Sequence, residues 1–364
     1  MFIREFSDYL RDNIQLLTSK KAITLDIERK SVNSETETLV YGKLIVATGS
    51  IPIIPNIKGL DKKGVFTFKS LGDAESVYNW EGHTAVIIGS GLIGVEVCLA
   101  LKRRGYQVFL IELLDRVLPQ VFDEYPASLI KDTLKDGGID VATQEKVVEI
   151  LGEDRVEGVV SNKRRIKCDT VILATGMRPE NSLVKRILEL GKFGGIKVNH
   201  KMCTSTEDVY ACGDCVEAQS LIDGLPQLSL LWHNARQQGQ VAGSNAAGVS
   251  QTYTGSLNIT GVEVMGLKAV SIGSIGASLG KDLEVIEVRE TGRYRRLVLS
   301  NEVLVGVQSI NWDENLGLFL AAILRKEKVK THKDLISSRY PPLKSLRRFP
   351  LTRKQTLSCM QNLK

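Results

Sequence analysis

Apolar positions in this chain fall into short runs broken by glycine and proline, and the spacing of those runs changes along the chain. The densest stretch is Val86–Glu112, VIIGSGLIGVEVCLALKRRGYQVFLIE. Val86–Ile88 is a continuous apolar run of the buried-strand type, and Gly89, Gly91 and Gly94 follow it. Apolar residues at helical spacing then continue to about Arg104, and a second apolar run ends on Glu112. The pattern predicts strand, glycine turn, helix and strand in that order.

Two other runs share one device. Leu44–Pro52, LIVATGSIP, and Val171–Pro179, VILATGMRP, each read as a buried strand that stops at Thr-Gly and leaves through a proline. This internal repeat marks a unit inserted into a host, with the host over residues 1–73 and 186–250 and the insert over 74–185. A helix is expected over 6–18, a strand and hairpin from Ala22 to about Thr38, a helix after Ser70, and another over 123–136 stopped by Gly137-Gly138. Strand-like pieces follow over 139–160, and a long helix over about 228–247. Past Tyr253 the chain changes to short alternating segments, VEVMGLKAVSIGS, LEVIEV, YRRLVLS and EVLVGVQSI, then a helix near 314–326. These predict an α+β domain over 251–330, followed by a tail over 331–364.

The glycine stretch carries specific chemistry. Gly89 makes the tight turn, Gly91 lets a ligand approach the backbone, and Gly94 lets the helix lie close on its strand. A helix N-terminus presents unpaired N–H groups and a positive dipole end, so it favours a pyrophosphate without needing lysine. Glu112 stands where an acid accepting hydrogen bonds from ribose hydroxyls belongs. Its charge opposes a 2′-phosphate and so favours NADH over NADPH, although Arg116 lies close by in sequence. Glycines, helix, second strand and terminal acid in one order make a dinucleotide site the expectation, with Leu92 and Ile93 filling the turn between the second and third glycines.

Composition excludes a disordered or membrane-spanning chain: 43% of residues are hydrophobic and 25% charged. Outside the glycine unit the longest apolar run, Leu316–Leu324, has nine residues and is too short for a bilayer. Charges are mixed through the first twenty or so residues with no apolar core of secretory type, so a cytoplasmic location with reduced thiols is expected. The net charge of +6 is unevenly placed, since residues 325–364 hold 12 Lys/Arg and 2 Asp/Glu, or +10, which leaves −4 for the rest. The basicity belongs to the tail, where a solvated face or a subunit contact is expected rather than a membrane-surface or nucleic-acid role.

Val209–Asp214, VYACGD, together with both ATG segments and GSGLIGVE, resembles the pyridine nucleotide-disulfide oxidoreductase family of flavoproteins. Tyr294-Arg-Arg-Leu-Val-Leu and Leu304-Val-Gly resemble its NADH oxidase, rubredoxin reductase and nitrite reductase branch. The resemblance runs from about residue 20 to about 325. It implies an α/β fold of two nested Rossmann-like domains, for FAD and NAD(P), plus a C-terminal α+β interface domain that pairs two subunits.

By the same resemblance Asp214, beside Gly213, holds the flavin ribityl chain, and the backbone of Trp232 and His233 faces the flavin pyrimidine edge. Glu96 lines the hydride path as the catalytic candidate. Ala47, Thr48 and Gly49, with Ala174, Thr175 and Gly176, join the cofactor-binding set. Leu92 and Ile93 stand where the family often has an aromatic gate. The cofactors implied are FAD and NAD(H), with an unassigned electron acceptor. Cys212-Gly-Asp-Cys215 has redox-dithiol spacing, and His200 and Cys203 could join it as a zinc set; neither is expected, and no metal is assigned.

The family's first glycine unit, which holds the ADP half of FAD, has no counterpart before Leu44, and no cysteine precedes Cys98. Two functions therefore stand: an FAD-dependent NAD(P)H oxidoreductase, or an NADH-binding module or subunit without stable flavin and without catalysis.

Overall fold

The computed structural model describes residues 4–275, 283–312 and 316–328. The basic tail and Cys359 lie outside the described residues. The chain forms two compact units, one of residues 1–55 and 175–257 and the other of 56–174 and 258–364.

In the second unit five parallel strands lie in the spatial order Val65–Thr67, Thr170–Leu173, Thr84–Ile88, Gln107–Ile111, Asp140–Ala142. Thr84–Ile88 is central, paired in register with Thr170–Leu173 on one side and Gln107–Ile111 on the other. Ala85, Val86 and Ile87 are fully buried. A parallel strand covered on both faces has no use for polar alternation, which is why this run is uniformly apolar.

Helix Leu92–Arg103 follows the glycine turn and buries Val95, Val97, Cys98, Leu99 and Leu101. Ser70 starts helix Leu71–Tyr78 by accepting from the Asp73 N–H, while Asp73 reaches back to the Ser70 N–H. Asp123 caps helix Glu124–Asp136, which ends at Gly137, and Gly138 follows in the left-handed region at φ +76°.

Beyond residue 258 five antiparallel strands lie in the order Ile259–Val264, Leu267–Gly273, Val303–Ile310, Arg293–Ser300, Leu283–Glu290. Helix Leu316–Arg325 packs on Val303–Ile310. Val262, Val264, Ala269, Tyr294 and Ile310 belong to the same apolar core as Ile130 and Leu134 of helix Glu124–Asp136. Arg296 pairs with Asp123 across this contact, and Gln308 accepts from the Asp123 N–H at 3.3 Å. Parallel and antiparallel sheets thus share one core within this unit.

The first unit is built from smaller pieces. A three-stranded antiparallel meander, Thr24–Asp26, Ser31–Asn33 and Thr38–Val40, stands where a strand and hairpin were expected. Leu44–Val46 pairs in parallel with Val209–Ala211. Ile196–Lys197, Val216–Gln219 and Pro226–Leu228 form a further sheet. Helix Trp232–Ala246 packs on the parallel pair and on the Gly213–Cys215 turn.

Two helices are shorter than periodicity predicts. The first spans Phe6–Arg11, because Asn13 turns into the left-handed region at φ +55°. The long one begins at Trp232 because Pro226–Leu228 is drawn into a strand against Val216–Gln219. Among the described residues no helix is long and apolar enough to cross a membrane.

We expect Leu134→Ala, at a fully buried position of the shared core, to cost about 2–5 kcal/mol of unfolding free energy in urea. Amide protection in strand Ile259–Val264 should fall by the same amount as in helix Glu124–Asp136. Retained protection in that strand alone would show that the two sheets do not unfold together.

Candidate functional site

The glycine turn connects strand Thr84–Ile88 to helix Leu92–Arg103. Gly89 sits at φ +102°, which a side chain would resist, and its N–H donates to the Ile111 carbonyl at 2.8 Å. A Cβ on Gly94 would lie 2.0 Å from the Gly89 carbonyl oxygen and 3.3 Å from the Ala174 Cβ, so only hydrogen fits where helix meets strand. Gly91 is different. A Cβ there would meet nothing within 4 Å, so the space before the helix is open on this side. Gly91 also supplies the helix N-cap without a side-chain bond, which leaves first-turn N–H groups for an anion.

Glu112 follows the second strand and is buried. Its Oε2 accepts from the Ser90 N–H at 2.7 Å and from the Ser90 hydroxyl at 2.6 Å. Its Oε1 accepts from the Leu114 N–H at 2.9 Å. Ser90, the main partner of this expected site residue, carries no signal in the sequence beyond a hydroxyl inside a glycine turn. Leu92 and Ile93 are half-buried against the core, and Glu96 is on the exposed face of the helix.

In the other unit Asp214 lies on the turn after strand Val209–Ala211 and accepts from the Ser50 hydroxyl at 2.7 Å. Gly213, at φ +82°, donates its N–H to Gln238 Oε1 at 2.8 Å. A Cβ on Gly213 would lie 3.7 Å from the Ala235 Cβ, so this turn rests against the first turn of helix Trp232–Ala246. Leu231, the N-cap of that helix, makes no side-chain capping bond.

Trp232 is exposed, and His233 Nε2 lies 2.8 Å from the Leu257 carbonyl. A carbonyl only accepts, so this nitrogen carries a proton. Buried Asn234 donates to the Ser229 hydroxyl at 2.6 Å and to the same carbonyl at 3.1 Å. The acid and an uncapped helix start are thereby held side by side.

The two ATG segments meet each other within the first unit. Ser50–Pro52 pairs antiparallel with Met177–Pro179, and the Ile53 N–H donates to the Gly176 carbonyl at 2.9 Å. Thr48 donates to the Glu180 carbonyl, and Thr175 donates to the Ile53 carbonyl at 2.7 Å. Each threonine bonds to a carbonyl of the opposite repeat, five positions past the matching threonine. The Glu180 N–H closes the exchange on the Gly49 carbonyl at 2.9 Å. Ala47 leads into this crossing, and Ala174 ends the other strand with its N–H on the Ile88 carbonyl.

Cys212 and Cys215 are buried free thiols. Burial, with a smaller contribution from Cys215, pushes the Cys212 thiol up to about 11, far from the range of a reactive thiolate. Among the described residues no group of three or more His, Cys, Asp or Glu is placed to hold a metal.

The model of the family described as pyridine nucleotide-disulphide oxidoreductase matches residues 4–239. The chain belongs to this family. It is 36% identical over 263 residues to an NADH oxidase of Methanocaldococcus jannaschii, covering 69% of this chain and 58% of the relative. It is 30% identical over 331 residues to a nitrite reductase [NAD(P)H] of Bacillus subtilis, covering 89% of this chain and 40% of the relative. The chain therefore spans about half the length of these relatives.

Among solved structures, an NAD-dependent persulfide reductase from A. fulgidus is similar at TM-score 0.85 and 28% identity, over 94% of this chain and 68% of the other. A FAD-dependent pyridine nucleotide-disulphide oxidoreductase from Desulfovibrio vulgaris is similar at TM-score 0.79 and 29% identity, over 86% and 84%. As in other members of this FAD- and NAD(P)-linked family, the fold combines Rossmann-like sheets with a C-terminal region.

Gly94→Ala should destabilise the chain by about 1–3 kcal/mol in urea, since the helix must move off the Gly89 carbonyl. An unchanged midpoint would contradict that packing. With an aromatic disulfide reagent at pH 8, the partly exposed Cys203 should react while Cys212 and Cys215 resist until the chain unfolds. Rapid modification of either buried thiol in the native chain would reopen a redox role for the pair.

Proposed function

We propose that this chain is an FAD-dependent NAD(P)H oxidoreductase component in which NADH delivers a hydride to FAD, and FAD passes electrons on to an acceptor. The observation that carries the reading is the open space before Gly91 at an uncapped helix start, with Glu112 fixed at the adjacent strand end. The pyrophosphate would rest on the first-turn N–H groups, and Glu112 would accept from the adenosine ribose.

The flavin residues present also fit their group. Asp214 offers a half-buried carboxylate beside the uncapped start of helix Trp232–Ala246, an arrangement suited to sugar hydroxyls and to a ring that gains negative charge. When bound, the flavin supplies the hydride-accepting ring. This chain's own contribution is to hold the ribityl chain by Asp214 and the ring edge by the backbone of Trp232 and His233, and to orient the nicotinamide with Glu96. Cys212 takes no part, because its burial pushes the thiol far above the range of the thiolate a covalent step needs. The C-terminal sheet pairs two copies of the chain.

The relatives differ in what their names say they reduce, so no acceptor is assigned. The purified chain incubated with FAD and freed of excess should keep a flavin absorption band near stoichiometry that bleaches on adding NADH. A chain that binds NADH and keeps no flavin would instead be a nucleotide-binding module, and the transfer reading would fall. Glu112→Ala should weaken NADH binding by roughly tenfold or more in a fluorescence titration, the loss of a hydrogen bond to a charged group, with flavin content unchanged.

A further inference from the structure

Ser90 is fully buried, and each of its polar groups is spent inside the protein. Its N–H and hydroxyl both go to Glu112 Oε2, at 2.7 and 2.6 Å, and its carbonyl accepts from the Leu118 N–H at 2.9 Å. A residue in the middle of a glycine turn is thus withdrawn from any phosphate. It is committed to holding one carboxylate.

A carboxylate oxygen accepts two hydrogen bonds at good geometry. Oε2 has both of its positions filled by Ser90. Oε1 has one filled, by the Leu114 N–H at 2.9 Å, and keeps one. Glu112 can therefore recognise a ribose through a single hydrogen bond, at Oε1. The side chain is already held by three donors, so no rotamer freedom remains to be lost on binding. The same three donors prevent the carboxylate from swinging aside when a second negative charge approaches. Arg116, the nearby cation in sequence that would offset such a charge, is paired with Asp115 at 3.1 Å.

We propose that Ser90 is a positioning and specificity-determining residue, which aims Glu112 Oε1 at the adenosine ribose and locks the carboxylate in the place where it repels a 2′-phosphate. This rests on the NADH reading above. It differs from a general stabilising role of the turn, because a loosened turn weakens both nucleotides alike. A Glu112 that has lost one of its three donors is aimed less firmly, which weakens NADH and leaves NADPH nearly unchanged.

The test measures NADH and NADPH dissociation constants, by nucleotide fluorescence, on the full chain and on Ser90→Ala, Glu112→Ala, the double variant and Glu112→Gln. Ser90→Ala should weaken NADH roughly five- to fifteenfold, with NADPH changed by no more than about twofold, so that the preference for NADH narrows. In the double variant NADH should bind no more weakly than in Glu112→Ala alone, since Ser90 acts through Glu112. Glu112→Gln provides an arm that leaves Ser90 intact. Its single amide oxygen is taken up by the Ser90 donors, and its NH2 then meets the Leu114 N–H donor to donor and is pushed off the ribose position, so NADH should weaken nearly as much as in Glu112→Ala.

Equal weakening of both nucleotides in Ser90→Ala, additive losses in the double variant, or unchanged NADH affinity in Glu112→Gln would each overturn the proposal. In those cases the NADH site itself would stand. If the unaltered chain bound neither nucleotide, the proposed function and this refinement would fall together.

Discussion

A buried carboxylate must be met by donors or leave the interior, and in this chain that demand organises the end of the parallel sheet. Glu112 meets it with the Ser90 N–H and hydroxyl and the Leu114 N–H. Its backbone extends the same knot, since its N–H donates to the Ala142 carbonyl and its carbonyl accepts from the Glu145 N–H. Glycine turn, second strand end and the loop after the next strand are thereby fixed to one residue. The strand registers, the Gly89 conformation and the open space before Gly91 all depend on those three pieces keeping their places.

The glycine unit was legible in the sequence because its causes are local. Steric limits on Gly89 and Gly94 and the apolar run of a doubly covered strand need only neighbouring residues. Ser90 was not legible, because its partner lies 22 residues away and a serine in a glycine turn has many uses. Helix starts with caps were found at Ser70 and Asp123, whereas the long helix was placed too early at Leu228, whose pairing with Glu217 no periodicity reveals. Alternation announced the C-terminal strands. That Val264 and Tyr294 share a core with Leu134 could come only from the fold.

The residues around Asp214 show a similar division. Asp214 was visible through its motif, while the groups that support it were not. Gln238 is buried and holds the Gly213 N–H at 2.8 Å, and Asn234 ties the helix start to the Leu257 carbonyl at 3.1 Å. Amides inside a helix look like surface residues until the fold buries them. Once buried, each must find partners, and those partners define how the Asp214 turn meets the helix.

The crossing of the two ATG repeats bears on how the chain folds. Its threonine bonds join residues 132 and 122 positions apart. Closing an unstructured loop of that length costs about 4 kcal/mol. Two hydroxyl bonds and one three-residue ladder return only about 1 kcal/mol per hydrogen bond, so the crossing gains little until the intervening strands and helices have condensed and shortened the effective loop. It is therefore a late contact in assembly. The first unit, built from residues 1–55 and 175–257, completes itself only after the intervening residues 56–174 have condensed.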